Sequence, residues 1–174
     1  FFKIDAMRIY LIGFMGSGKT HWGKRLSHKT GMPFYDLDEE IVKTEEKSVQ
    51  QIFHDKGEEY FREKERDLLA DITFDHPSLI LSCGGGTPCF FNNIDFMKQH
   101  GTIIWLNTAV DILVHRLLKE KSHRPVIKNV SDADLKSFII KKLQDRKLYY
   151  EQADVMLHEE SITIDSLLKI IPDA

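Results

Sequence analysis

Apolar runs without polar alternation recur along this chain, each followed by a turn rich in glycine or acid and then by a stretch of helical spacing. Arg8-Ile9-Tyr10-Leu11-Ile12 is the first, dense in β-branched and aromatic residues, and it predicts a strand. Leu79-Ile80-Leu81-Ser82 and Thr102-Ile103-Ile104-Trp105-Leu106 repeat the pattern, as a strand buried on both faces would require. Shorter strands are predicted at Pro33–Asp36 and Asp154–Leu157.

Helical stretches separate them. One runs from about Gly18 to Lys29 and stops at Gly31. Glu39–Glu46 is the next, with acids suited to its N-terminus. Ser48-Val49-Gln50-Gln51 is a capping-box pattern opening a helix to Lys56, and Gly57 breaks it. Glu58–Thr73 then places Phe61, Leu68, Leu69 and Ile72 mostly on one face. Further helices are predicted at Ile94–His100 (stopped by Gly101), from a Thr108–Asp111 cap to Glu120, from Ser131 to Tyr150, and at Ile164–Ile171. Strands alternating with helices predict an α/β fold: a parallel sheet with helices on both faces. The 174 residues suffice for one domain with a proper core.

Composition narrows the partners. A net charge of −3 lacks the basic footprint of a nucleic-acid binder, so a bound anion must be held by local positive charge. No apolar run approaches membrane-spanning length and no secretory signal is visible, so no membrane partner and a cytoplasmic location are expected. Cys83 and Cys89 are too few for a disulfide scaffold or zinc site and read as free thiols. The eight histidines are scattered without a metal-binding motif. Phe1–Ala6 read as an extension before Met7, leaving a single domain over 7–174.

The chemistry begins directly after the first strand. Gly13-Phe14-Met15-Gly16-Ser17-Gly18-Lys19-Thr20 sits between a strand and a helix, the context of a phosphate-binding P-loop. Gly13, Gly16, Ser17 and Gly18 would wrap backbone N–H groups around a polyphosphate. Lys19 would reach the β- and γ-phosphates, and the Thr20 hydroxyl would ligate Mg²⁺.

Ligands of open α/β sheets sit beyond the carboxyl ends of the strands, so the residues just past the other strands matter most. Asp36 and Asp38, two apart in an extended segment, would share a face. They either help place Mg²⁺ and meet a substrate hydroxyl as a base, or merely cap the next helix. Gly84-Gly85-Gly86 offers close backbone approach to a ligand or a tight turn. Arg62 pairs by default with Glu58 one turn earlier, and Arg146 stands by default on a solvated basic face with Lys141, Lys142 and Lys147. Arg124 lies in a polar segment that could close over phosphates as a lid or remain a surface loop.

Taken together, the P-loop, Asp36-Leu37-Asp38, Phe61-Arg62-Glu63-Lys64-Glu65, Gly84-Gly85-Gly86, Arg124-Pro125 and Arg146 with Tyr149, Tyr150 and Ala153-Asp154 resemble shikimate kinase over nearly the whole chain from Met7. The resemblance implies a three-layer P-loop kinase fold like that of nucleoside monophosphate kinases, with five parallel strands in order 2-3-1-4-5. It implies phosphorylation of the shikimate 3-hydroxyl by ATP with one Mg²⁺, usually by a monomer. By the same resemblance Asp38 contacts the ring hydroxyls as base or orienter, and Arg62 and Arg146 clamp the substrate carboxylate. Gly84, Gly85 and Gly86 line the substrate pocket, and Arg124 reaches the phosphates from a lid at about 119–130. Arg116 packs against adenine, Asp36 helps Thr20 place the metal, and the helices over about 37–74 bind substrate. Val126-Ile127 stand where relatives often carry a Leu-Leu pair, which leaves the packing of the lid open. Two rivals remain: a P-loop kinase for gluconate or nucleoside monophosphates, and a nucleotide-dependent switch, for which the base-reading Asn-Lys-x-Asp stretch is missing.

Overall fold

The computed structural model describes residues 7–124 and 126–171. The extension read at Phe1–Ala6 and the lid proline Pro125 lie outside the described residues. A five-stranded parallel sheet in the order β2-β3-β1-β4-β5 forms the middle layer. Its strands are β1 (Arg8–Ile12), β2 (Phe34–Asp36), β3 (Leu79–Ser82), β4 (Thr102–Asn107) and β5 (Val155–His158). β1 is central, pairing Tyr10 with Leu81 on one side and with Ile103 on the other.

The strands divide their side chains between two cores, because successive residues of a strand face opposite ways. Tyr10, Ile12, Leu79, Leu81 and Ile103 meet α2 (Leu37–Glu45), α3 (Val49–Asp75) and α4 (Asn93–His100). Ile9, Leu11, Ile80, Ile104 and Leu106 meet Leu26 of α1 (Lys19–Thr30) and Leu167 of α7 (Ile164–Leu168). This two-sided burial explains why β1, β3 and β4 read as unbroken apolar runs. β5 is one edge, with Met156 exposed, and Asp154 just ahead of it donates its N–H to the Ile103 carbonyl at 3.0 Å while its carboxylate accepts the Ile103 N–H at 2.7 Å.

A third cluster joins α5 (Val110–Glu120) to α6 (Asp132–Tyr150) and includes Phe14 of the glycine loop. Ile127 is fully buried in it. In the segment expected to form a lid, Ile127 and Val130 pack on this cluster while Val126 stays exposed.

Turn chemistry matches expectation at most boundaries. Gly31 ends α1 in the left-handed region and donates to the Ser27 carbonyl. The capping box at Ser48 and Gln51 is formed, and Gly57, with φ 84° and ψ 173°, interrupts α3. The Thr108–Asp111 cap is corrected: Ala109 takes the N-cap position without a side-chain bond, and the Thr108 hydroxyl donates to Glu159 instead. The last helix ends at Leu168, short of the expected Ile171.

Gly101 has an extended backbone, so its need for glycine is steric. A Cβ there would lie 2.3 Å from the Arg8 carbonyl oxygen, a backbone atom of the central strand that cannot move aside. Gly101→Ala is expected to destabilise the protein by about 2 kcal/mol, lowering Tm by ~4–8 °C in a thermal melt. An unchanged Tm would show that β1 and α4 separate without penalty.

Candidate active site

The residues that follow β1, β2 and β3 meet at the carboxyl end of the sheet. After β1, Gly13, Gly16 and Gly18 take φ of 145°, 82° and 89°, angles that side-chain-bearing residues rarely adopt. A Cβ at Gly13 would also stand 2.7 Å from the Leu106 carbonyl oxygen. Ser17 is buried, and its hydroxyl has no hydrogen-bond partner among the described residues. The Lys19 ammonium donates to the Gly13 and Phe14 carbonyls at 2.9 and 3.0 Å, held over the loop. Burial lowers its pKa to about 8, opposed by the negative charges of Asp38 and Asp36.

The two aspartates do not share an extended segment. Asp36 ends β2, whereas Asp38 lies in the first turn of α2. One half of the capping alternative holds: Asp36 Oδ1 accepts the Asp38 and Glu39 N–H groups. Its other oxygen accepts the Thr20 hydroxyl at 2.7 Å, so one carboxylate both starts α2 and reaches the P-loop. The Asp38 carboxylate caps no helix among the described residues and lines the cavity. Burial raises its pKa to about 6, with Glu65 and Asp36 adding repulsion and Lys19 and Arg62 opposing it.

The glycine triplet after β3 is explained by its surroundings. None of the three has a positive φ. A Cβ at Gly84 would stand 3.0 Å from both Asp38 Oδ1 and Glu65 Oε1. At Gly85 it would meet Arg146 Nη1 at 2.9 Å, and at Gly86 Arg62 Nη2 at 2.6 Å. Each missing side chain makes room for a charged group from another element. The two guanidiniums therefore sit beside adjacent residues of one turn.

The default for Arg62 holds in part, and that for Arg146 is corrected. Arg62 does pair with Glu58, at 3.3 Å, but its side chain is 11% exposed and its shorter bond is to the buried Glu65, at 2.9 Å. Its guanidinium also lies 4.3 Å from the Phe90 ring centre. Arg146 is turned inward from the basic face, over the Phe14 ring, with Nη1 buried and unbonded among the described residues.

A cavity of about 630 Å³ runs from Gly16, Gly18, Lys19 and Thr20 past Asp36 to Arg116. A second, of about 330 Å³, is lined by Arg62, Arg146, Gly86, Val49 and Phe53. Asp38, Gly84, Gly85 and Arg124 line both. Arg124 pairs with Glu120, four residues earlier at the end of α5. Arg116 donates to the Gly16 carbonyl and pairs with Glu159, at the rim of the larger cavity.

Sequence reasoning missed Glu65, Thr87 and Tyr150 as supports of the site. Glu65 is fully buried, accepting from the Thr87 hydroxyl at 2.6 Å as well as from Arg62. A signal was present: at four residues past Phe61 and three before Leu68, Glu65 falls on the apolar face of α3. The Tyr150 hydroxyl donates to the Gly85 carbonyl at 2.6 Å and fixes the turn from α6.

Comparison with known proteins bears directly on this geometry. The family model described as shikimate kinase matches residues 15–172. A shikimate kinase from Parabacteroides distasonis is 40% identical over 167 residues, which span 96% of both chains. The crystal structure of shikimate kinase from Bacteroides thetaiotaomicron superposes with a TM-score of 0.85 at 37% identity, over 94% of this chain and 95% of that one. That of the Acinetobacter baumannii enzyme, solved in complex with shikimate, gives 0.85 at 29% identity over 97% of this chain and 92% of that one. Family match, near full-length relatives and close superposition agree, and this chain belongs to the shikimate kinase family.

Proposed function

We infer that this enzyme transfers the γ-phosphoryl group of ATP to the 3-hydroxyl of shikimate, giving shikimate 3-phosphate and ADP. One observation carries the assignment of roles: Asp38 and Arg124 line both the P-loop cavity and the arginine-lined cavity beside it. Donor and acceptor would meet there.

The larger cavity takes ATP. Its triphosphate lies on the N–H groups of the glycine loop, with Lys19 leaving the Gly13 and Phe14 carbonyls for phosphate oxygens. Arg116 borders the nucleotide at the rim. The Thr20 hydroxyl and the Asp36 carboxylate, 2.7 Å apart, are hard oxygen donors of the kind that suits Mg²⁺ beside phosphates, and they would hold the ion. When bound, Mg²⁺ neutralises charge on the β- and γ-oxygens. Shikimate lies in the smaller cavity, its carboxylate between the Arg62 and Arg146 guanidiniums, whose planar forks suit it. Its 3-hydroxyl donates to Asp38. As the O3–Pγ bond forms and the bond to the leaving ADP oxygen breaks, the hydroxyl proton passes to Asp38. Arg124 moves from Glu120 to the transferred group, and closure of its segment keeps water out.

The enzyme works as a monomer in the cytoplasm. Among the described residues no helix is long and apolar enough to cross a membrane.

Release of ADP measured with and without shikimate tests the reading. Strong stimulation by shikimate, with none by gluconate or nucleoside monophosphates, is expected. Equal ADP release in its absence would leave a nucleotide-dependent switch, and stimulation by gluconate would change the acceptor.

The two clamp arginines should separate in their side effects. Arg146→Ala is expected to raise the KM for shikimate about tenfold or more with a smaller change in kcat. Among the described residues Arg146 pairs with no carboxylate, so its loss strands no buried charge and Tm should change little. Arg62→Ala should raise KM likewise but also lower Tm, because Glu65 would keep a buried charge without its cation. A raised KM for ATP with that for shikimate untouched would remove both from the clamp.

A further inference from the structure

Phosphoryl transfer alone leaves the partner of Arg116 unexplained. The guanidinium donates through Nη1 to the Gly16 carbonyl at 2.9 Å, and through Nη2 it pairs with the Glu159 carboxylate. The second oxygen of that carboxylate accepts the Thr108 hydroxyl at 2.9 Å and lies 3.5 Å from Arg116 Nη1. These residues come from separate elements: Gly16 lies after β1, Thr108 after β4, Arg116 on α5 and Glu159 after β5. The Gly16–Ser17 peptide is thereby held at both ends. Its carbonyl accepts from Arg116, and its N–H donates to the Phe14 carbonyl at 3.1 Å. It cannot flip without losing both bonds. Thr108 is buried, whereas Arg116 and Glu159 both line the larger cavity.

We propose that Glu159 is a positioning residue for ATP, acting through Arg116 to hold the Gly16–Ser17 peptide and the cavity rim ready for nucleotide. The inference rests on ATP as the phosphoryl donor. An unpaired guanidinium at the rim would sample many rotamers. A carboxylate aligned by Thr108 selects one of them before the nucleotide arrives, so less freedom is lost on binding. Glu159 touches no phosphate in this scheme.

Isothermal titration of ADP and steady-state kinetics test it together. Glu159→Gln keeps the shape and removes the charge. It should weaken ADP binding and raise the KM for ATP by about tenfold, leaving the KM for shikimate and Tm unchanged. Thr108→Val should shift ADP affinity the same way by about threefold, a second route should Glu159→Gln fold poorly. Arg116→Ala should weaken ADP binding, and adding Glu159→Gln to it should change nothing further. ADP affinity of Glu159→Gln within about twofold of the parent, or full additivity in the double variant, would overturn the proposal. The ADP titration contains no shikimate. A failed acceptor assignment would therefore leave the titration untouched, whereas a failed positioning role would show in it directly.

Discussion

Lys19→Ala is expected to lower kcat by about a thousandfold, the effect of removing one preorganised cation from a developing phosphoryl charge. The ammonium is held over the loop by the Gly13 and Phe14 carbonyls, so it needs no large search to reach a γ-phosphate. The loss should fall on kcat more than on ATP affinity, because the loop N–H groups remain. The charge balance supplies a second signature. Lys19 opposes the rise in the Asp38 pKa, so its removal should push that pKa further up and carry the acid limb of any residual activity with it. A kcat within about tenfold of the parent would show that the P-loop backbone and the metal suffice without Lys19.

Asp38→Asn is expected to yield a protein that is more stable and nearly inactive. The folded Asp38 carboxyl titrates near 6 against 3.8 in its ordinary state, so the fold favours the protonated form. That preference stabilises the fold fully below about 3.8 and is lost as pH rises through about 6. At pH 7 the parent therefore holds an ionised carboxylate that the fold disfavours by at most ~3 kcal/mol, less where cavity water reaches it. Asparagine removes this penalty. Denaturant melts should show the variant more stable at pH 7 and the difference gone near pH 4. Turnover should fall about 10²- to 10⁴-fold with shikimate still bound.

The same two groups shape the pH profile of the parent. kcat/KM should rise as Asp38 ionises near 6 and fall as Lys19 loses its proton near 8. The alkaline limb should weaken in kcat, because bound phosphate holds the lysine proton. A variant with parental kcat would reduce Asp38 to a contact. One with parental stability at pH 7 would mean that its charge is well solvated.

Much of the fold was legible locally. Unbroken apolar runs in β1, β3 and β4 signal two-sided burial, and helix-spaced stretches between them require crossover connections and so a parallel sheet. The Gly31 and Ser48 boundaries could be read because a cap needs only its own few residues. The order of the strands was legible only by resemblance. Arg62 and Arg146 resisted local reading for the opposite reason. Each has an ordinary neighbour at helical spacing, and nothing near it in sequence says that it turns inward.

By itself, then, the sequence determined the P-loop and its flanks, the α/β layering, and the residue types available at each strand end. These depend on short-range sterics, hydrogen bonding and periodicity. The tertiary structure decided what those residues do to one another. It separated Asp36, which caps α2 and holds Thr20, from Asp38, which faces both cavities. It showed the glycine triplet as a tight turn that also leaves space for Asp38, Glu65, Arg146 and Arg62. It buried Glu65 behind Arg62 and tied Arg116 to Glu159 across four elements. Burial, close approach and the resulting pKa shifts are set by partners tens of residues away, and only the folded chain brings those partners within a few ångströms.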